Sequence, residues 1–521
     1  MKKLYSKAVF AILAGVSILF YSFGLKNSNT RLTGVINVDG GMISGVKSTT
    51  GDVVSFKGIP FAASPVGELR WKGPQPVQHW AGIKKCDEFG PSPMQNKPVP
   101  FGVYTKEFLI PEEPISEDCL YLNVWAKNNV SVKKPVFVWI YGGGFTSGGT
   151  AVPIYDGDAM AKKGIIFVSI NYRVGVFGFL AHPELTSESP DKASGNYALL
   201  DQIAALKWVK KNIAKFGGDP DNVTIAGQSA GSMSVNCLIA SPAAKGLFNK
   251  AIAESGSLMV SNPMIKSLTL QDAEQQGVKL AASVHANTID ELRKVPAADL
   301  LKIPGGYSPI VDGYVLPEPV SQIFAKGKEN SVPLLTGWNA DEGFVFSFKK
   351  KGEFIQEAKE KYGKDAEQFL KYFPANTDEE AAHSQTKLSR DMIFAISGYK
   401  WAGIQSERKA PVYVYYFQHK LPATPEYEKY GAFHTGEVAY AMDNLKFLNR
   451  PWKAGDKILA SQISAYWVNF ITNGNPNGKN LPVWPKYNKS MGQAIVFDNV
   501  AQHKRLPDKE ELDFMLEHVE K

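Results

Sequence analysis

Apolar residues in this chain fall into two rhythms. Val136-Phe137-Val138-Trp139-Ile140 and Ile165-Ile166-Phe167-Val168-Ser169-Ile170 are short unbroken runs rich in β-branched side chains, the pattern of strands buried on both faces. Between residues 195 and 213 the apolar positions recur instead at Leu199, Ile203, Leu206 and Val209, with lysines on another face, which is helical spacing. Residues 223–226 then predict another strand and 233–239 another helix. Further on, 332–337 and 411–417 read as strands, with amphipathic helical stretches at 353–361 and 365–372 between them, and 456–472 as a helix closing the back of the fold. Strands alternating with helices predict an α/β protein with a central, mostly parallel sheet flanked by helices. Helical insertions around 257–450 are expected to form a cap over the sheet. No linker rich in Pro, Gly or Ser divides the chain, so 25–521 is expected to be a single domain.

The first residues follow neither rhythm. Lys2, Lys3 and Lys7 precede an uncharged, mostly apolar run from 8 to 23, and Lys26-Asn27-Ser28-Asn29 follows. A basic start, a short apolar run and a polar exit predict a signal peptide over 1–24 and export to the periplasm or the extracellular side. An uncleaved N-terminal anchor is the alternative, and the only membrane contact the sequence suggests. The net charge of +7 is small for 521 residues, and no basic stripe with interleaved aromatics marks a nucleic-acid surface. With 44% hydrophobic residues the chain can build a large core. Cys86, Cys119 and Cys237 match no zinc spacing, and a Cys86–Cys119 disulfide is compatible with an oxidising compartment.

The chemistry concentrates at Gly227-Gln228-Ser229-Ala230-Gly231, between the strand at 223–226 and the helix at 233–239. A serine hydroxyl needs a base to become a nucleophile, and it must stand clear of the backbone. Glycines two residues to either side permit a turn tight enough to expose it. Tyr141-Gly142-Gly143-Gly144-Phe145 follows the strand ending at Ile140. The N–H groups of Gly143 and Gly144, with that of Ala230, are candidates for an oxyanion hole. Such a site needs no metal or organic cofactor.

With these motifs the chain resembles the type B carboxylesterases, the carboxylesterase–cholinesterase family of the α/β-hydrolase fold. The similarity runs from about Val38 to about Tyr487 and includes FKGIPFA (56–62), PVGELRW (65–71), SEDCLYLNV (116–124), NYR (171–173), PIVDG (309–313) and NGNPN (473–477). The resemblance implies a small-molecule carboxylic ester as substrate. It implies that the triad acid lies in Asp341-Glu342-Gly343, with Glu342 orienting the imidazole, Asp341 its main rival and Glu437 a distant one. It implies that His434, in AFHTGE (432–437), is the general base and then the general acid. The order Ser229, Glu342, His434 agrees with the superfold. The remaining histidines, His79, His182, His285, His383, His419, His503 and His518, lie outside any matching motif.

Three departures qualify the resemblance. Gln228 stands where most relatives have Glu, so a changed pH profile is expected. Pro93-Met94-Gln95 lacks the cysteine that usually pairs with the one at Cys119. Phe108-Leu109-Ile110 occupies the place of the tryptophan that holds choline in cholinesterases, which disfavours choline esters and favours general esters with modest acyl groups. The same scaffold also serves non-catalytic binding and adhesion proteins, and lipases and amidases share the mechanism.

Overall fold

The unbroken apolar runs become the centre of one sheet. The structure, a computed structural model, describes residues 30–519 except 32, 33, 131 and 266; the expected signal peptide at 1–24 lies outside the described residues. Among these the main sheet has eleven strands. In chain order they are β1 (Val46–Lys47), β2 (Val53–Pro60), β3 (Tyr121–Lys127), β4 (Lys134–Ile140), β5 (Ile166–Ile170) and β6 (Gly218–Gln228). They continue as β7 (Lys250–Glu254), β8 (Leu334–Asn339), β9 (Val412–Phe417), β10 (Gln493–Phe497) and β11 (Ala501–Arg505). The spatial order is β11-β10-β9-β8-β7-β6-β4-β5-β3-β2-β1. From β10 across to β5 every neighbouring pair is parallel. Antiparallel strands finish both ends.

Strands β5, β7, β8 and β9 are buried along their whole length, because helices cover both faces and leave no wet face for alternating polar residues. The helices that bear on function are α1 (Tyr197–Asn212), α2 (Ala230–Ala240), α3 (Asp378–Arg390), α4 (Ile396–Ser406), α5 (Ala454–Asn473) and α6 (Lys509–Val519). Helix α5 packs on β4 and β6 as expected of a closing helix, and α2 joins β6 to β7.

Strand order reverses at β4. The chain leaves β4 for β5 on one side and returns to β6 on the other, so the carboxyl ends of β4 and β6 open a crevice, the usual ligand site of such a sheet. The glycine loop after β4 and Ser229 after β6 both lie there.

Several residues of the resemblance motifs brace this frame. Arg70 grips Glu117 through Nε and Nη2 at 2.7 and 2.5 Å. Arg173 holds fully buried Asp201 through Nε and Nη2 at 2.8 and 2.7 Å, and desolvation is answered by two parallel charge-assisted bonds. Asn123 accepts from the Gly58 N–H and donates to Ser169 Oγ, pinning β2 and β5 to β3. Cys86, Cys119 and Cys237 are buried free thiols, so the Cys86–Cys119 disulfide does not form. Burial pushes the Cys86 thiol up to about 11, away from reactivity.

Candidate active site

Ser229 is the single residue between β6 and α2, and the chain turns there at φ +59° and ψ −125°. A residue other than glycine enters this region at a cost of about 1–3 kcal/mol, so the surroundings must enforce it. They do so through close backbone contact. A Cβ on Gly231 would stand 2.0 Å from the Ile140 carbonyl oxygen, and one on Gly227 would stand 2.5 Å from the Gly231 carbonyl. The Ser229 N–H donates to the Glu254 carbonyl at 2.9 Å, fastening the turn to β7.

The glycine loop approaches from β4. Gly143 adopts φ +116°, and a Cβ on it would meet the Ser147 carbonyl oxygen at 2.3 Å. Ala230 begins α2, so its N–H is one of the donors that a helix leaves without an internal partner. Among the described residues no backbone carbonyl accepts from the N–H of Gly143, Gly144 or Ala230. All three residues line the same cavity as Ser229 and His434.

His434 comes from the loop after β9, and its Nδ1 lies 2.8 Å from Glu342 Oε2. The carboxylate is fully buried, and its other oxygen accepts from the Asn339 N–H at 2.9 Å. The tyrosine hydroxyl of Tyr104 donates to the His434 carbonyl at 2.9 Å. Phe394 stacks on the imidazole at 4.3 Å, and Phe344 meets it edge-on at 5.4 Å. Ser229 and His434 face one cavity without a hydrogen bond between the hydroxyl and the ring.

The rivals occupy other posts. Asp341 Oδ2 accepts from the Ala432 N–H at 2.8 Å and braces the histidine loop. Glu437 lies behind that loop, where Oε2 accepts from Asn339 Nδ2 at 2.5 Å. His419 forms a second histidine–carboxylate pair with Asp456 at 2.7 Å, but Asp456 also accepts from Tyr440 and from the Lys453 N–H at the start of α5. Among the described residues no serine joins that pair, and it is outside the cavity.

Sequence reasoning missed Asn339, Phe344, Phe394, Tyr104 and Glu254. Asn339 had one readable signal, its place three residues before Glu342. Glu254 and Glu437 form a buried acidic floor. Burial pushes the Glu254 carboxyl up to about 8, against a hydrogen bond from Trp467 Nε1 at 2.8 Å. Burial first, and then the charges of Glu254 and Glu342, hold the Glu437 carboxyl well above the ordinary range. Burial thus favours the protonated form of both.

The cavity measures about 550 Å³. Phe108, Leu109, Ile110, Met233, Ile265 and Phe394 are among its walls. Lys97 is its only Lys, Arg, Asp or Glu among the described residues, and it is paired with Glu113 at 2.9 Å. A larger cavity of about 950 Å³ adjoins at Asn262 and Ile265 and contains none of the candidate residues. Among the described residues no cluster of three His, Cys, Asp or Glu is arranged to hold a metal ion, and no helix is long and apolar enough to cross a membrane.

Comparison with known proteins gives a consistent picture. The Carboxylesterase family pattern matches residues 33–515. Fumonisin B1 esterase of Sphingopyxis macrogoltabida is 37% identical over 489 residues, covering 89% of this chain and 86% of that protein. Para-nitrobenzyl esterase of Bacillus subtilis (strain 168) is 36% identical over 491 residues, covering 89% of this chain and 95% of that one. Carboxylesterase 1C of Rattus norvegicus is 32% identical over 504 residues, 88% of each chain.

Proposed function

The chain belongs to the carboxylesterase family and is a carboxylic-ester hydrolase, and from that premise we propose that it works through an acyl-enzyme on Ser229. His434 takes the serine proton as Ser229 Oγ attacks the ester carbonyl, then returns it to the departing alcohol. Glu342 fixes the ring tautomer and stabilises the imidazolium. The N–H groups of Gly143, Gly144 and Ala230 receive the oxyanion, each worth roughly 3 kcal/mol in the transition state. Water activated by His434 then releases the acid. The observation that carries this reading is the buried 2.8 Å contact of Glu342 with His434, a residue that lines the same cavity as Ser229.

The walls suggest the substrate. With no Asp or Glu among its described lining residues, and one lysine already paired, the cavity suits an uncharged ester with an apolar acyl or alkoxy part. A choline ester would lack a carboxylate partner there. The domain is residues 25–521, with the insertions at 257–450 contributing Ile393 and Phe394 to the walls. A leader over 1–24 exports it.

Hydrolysis of p-nitrophenyl butyrate by the chain lacking residues 1–24, beside Ser229→Ala, tests the mechanism. The substitution should lower kcat by a factor on the order of a million. A Ser229→Ala protein as fast as the parent would remove Ser229 as the nucleophile.

A further inference from the structure

Gln228 Nε2 lies 3.3 Å from His434 Nδ1 and 3.2 Å from Nε2. An atom so nearly equidistant from both ring nitrogens cannot lie in the ring plane, where it would overlap Cε1 between them. The amide nitrogen therefore sits over a face of the imidazole. Phe394 stacks on the ring at 4.3 Å with 17° between planes. One face cannot accommodate both, so the amide and the phenyl hold opposite faces. At its far end Gln228 Oε1 accepts from Thr435 Oγ1 at 3.3 Å. Thr435 directly follows His434 and is itself held at φ +76°. Gln228 thus grips the histidine turn at two points, the ring and the next residue.

The charge environment explains why an amide suits this place. Gln228 pairs with Glu254 across β6 and β7. The titratable groups packed around the turn are Glu342 at Nδ1, Asp341 on the Ala432 N–H, Glu437 on the turn itself, Glu254 on β7, and the hydroxyls of Tyr104, Tyr155 and Tyr415. A cation near the turn is Arg450, whose guanidinium lies over Phe433 at 5.3 Å. A carboxylate at 228 would add a fourth buried acid and a second negative group beside the ring.

We infer that Gln228 is a positioning residue that clamps the His434 imidazole against Phe394 and, being uncharged, places no second negative group beside that base. The inference rests on His434 as the base. The amide N–H directs its positive end at the ring and so disfavours the imidazolium. A carboxylate in the same place would favour it and raise the pKa of the base. A base with a raised pKa becomes active only at higher pH, so the acid limb of kcat/KM moves up.

The test is the pH profile of p-nitrophenyl butyrate hydrolysis by the parent, Gln228→Glu and Gln228→Met. In Gln228→Glu the acid limb should rise by roughly one unit or more. Gln228→Met keeps the volume and loses the donor. It should lower kcat by roughly ten- to a hundredfold with KM little changed, and it should shift the acid limb upward by less than Glu does. An unmoved acid limb in folded Gln228→Glu overturns the charge half of the inference, and parental kcat in Gln228→Met overturns the clamp. Should thermal unfolding show Gln228→Glu to be misfolded, the Met limb decides the charge half. Thr435→Val, which removes only the hydroxyl grip, decides the clamp independently through kcat. Loss of activity in Ser229→Ala with parental behaviour in these variants rejects the clamp alone. Retained activity in Ser229→Ala rejects the triad beneath it.

Discussion

The serine and the histidine face one cavity but are held there by different means. Ser229 is held by backbone: a strained turn of one residue, glycines pressed against Ile140, and an N–H bonded to β7. His434 is held by side chains drawn from distant segments, with Glu342, Phe344, Phe394, Gln228 and Tyr104 each touching it or its peptide. A backbone device needs only a short motif pressed against neighbouring strands and tolerates almost no added atom. A side-chain device spreads over some 330 positions of sequence, and its failures are graded. Damage on the serine side should therefore fall chiefly on catalysis, and damage on the histidine side on stability as well.

Among losses of stability, the largest is expected from Arg390→Ala. This side chain ends α3 and is fully buried. It pairs with Asp391 at 2.6 Å, Asp508 at 3.0 Å and Glu511 at 3.2 Å. It also donates to the Ala340 carbonyl at 3.3 Å, two residues before Glu342. Arg390 thus ties the segment bearing Phe394 both to the acid turn and to α6. Its removal leaves fully buried Asp391 without its cation and strips Asp508 and Glu511 of one partner, at a cost of about 3–5 kcal/mol in urea denaturation. A loss under 1 kcal/mol would mean that packing alone holds the histidine side.

Gly231→Ala probes the opposite side with a single methyl group. Its Cβ would meet a strand carbonyl at 2.0 Å, and backbone cannot swing away as a flexible side chain can. Helix α2 must retreat and carry Ser229 and the Ala230 N–H with it. Stability should fall by about 1–3 kcal/mol, while kcat falls by at least about a hundredfold through misplacement of the reacting groups. If stability fell as far as for Arg390→Ala with kcat intact, the contrast between the two sides would collapse.

The same contrast decides what could be read from the sequence. The central strands were legible because full burial makes them continuous apolar runs, although β6 begins five residues before its predicted start, at Gly218. Strand β11 was not: AQHKR is almost wholly exposed, and only pairing with β10 makes it a strand. The serine turn and glycine loop were legible as motifs, since close backbone contact demands glycine at fixed spacing. Glu342 and His434 came through family resemblance, because 92 residues of unrelated sequence separate two groups that touch. Phe394 gave no signal at all. It lies where the helix between α3 and α4 widens to a π turn at Asp391–Ala395, and that local bulge points Ile393 and Phe394 into the cavity.

The third effect, read as a change with pH rather than as a loss, concerns Glu254 and separates the two sides most cleanly. One of its oxygens accepts from Trp467, and the other has no partner among the described residues. In the folded chain its carboxyl titrates near 8, whereas the ordinary value is 4.5. Between those values the unfolded chain has released a proton that the native state still holds, so ν for the native state exceeds ν for the unfolded one. Stability must then fall as pH rises through that window. Glu254→Gln can keep the bond to Trp467 and has nothing to titrate. Urea denaturation at pH 5, 6.5 and 8 should show the variant near the parent at pH 5 and gaining steadily, by on the order of a few kcal/mol at pH 8. A difference that stays flat across the three pH values would mean that Glu254 ionises normally inside the fold. The strain at Ser229 is conformational and cannot titrate, so a pH-dependent gain belongs to the acidic floor beneath His434 and to nothing on the serine side.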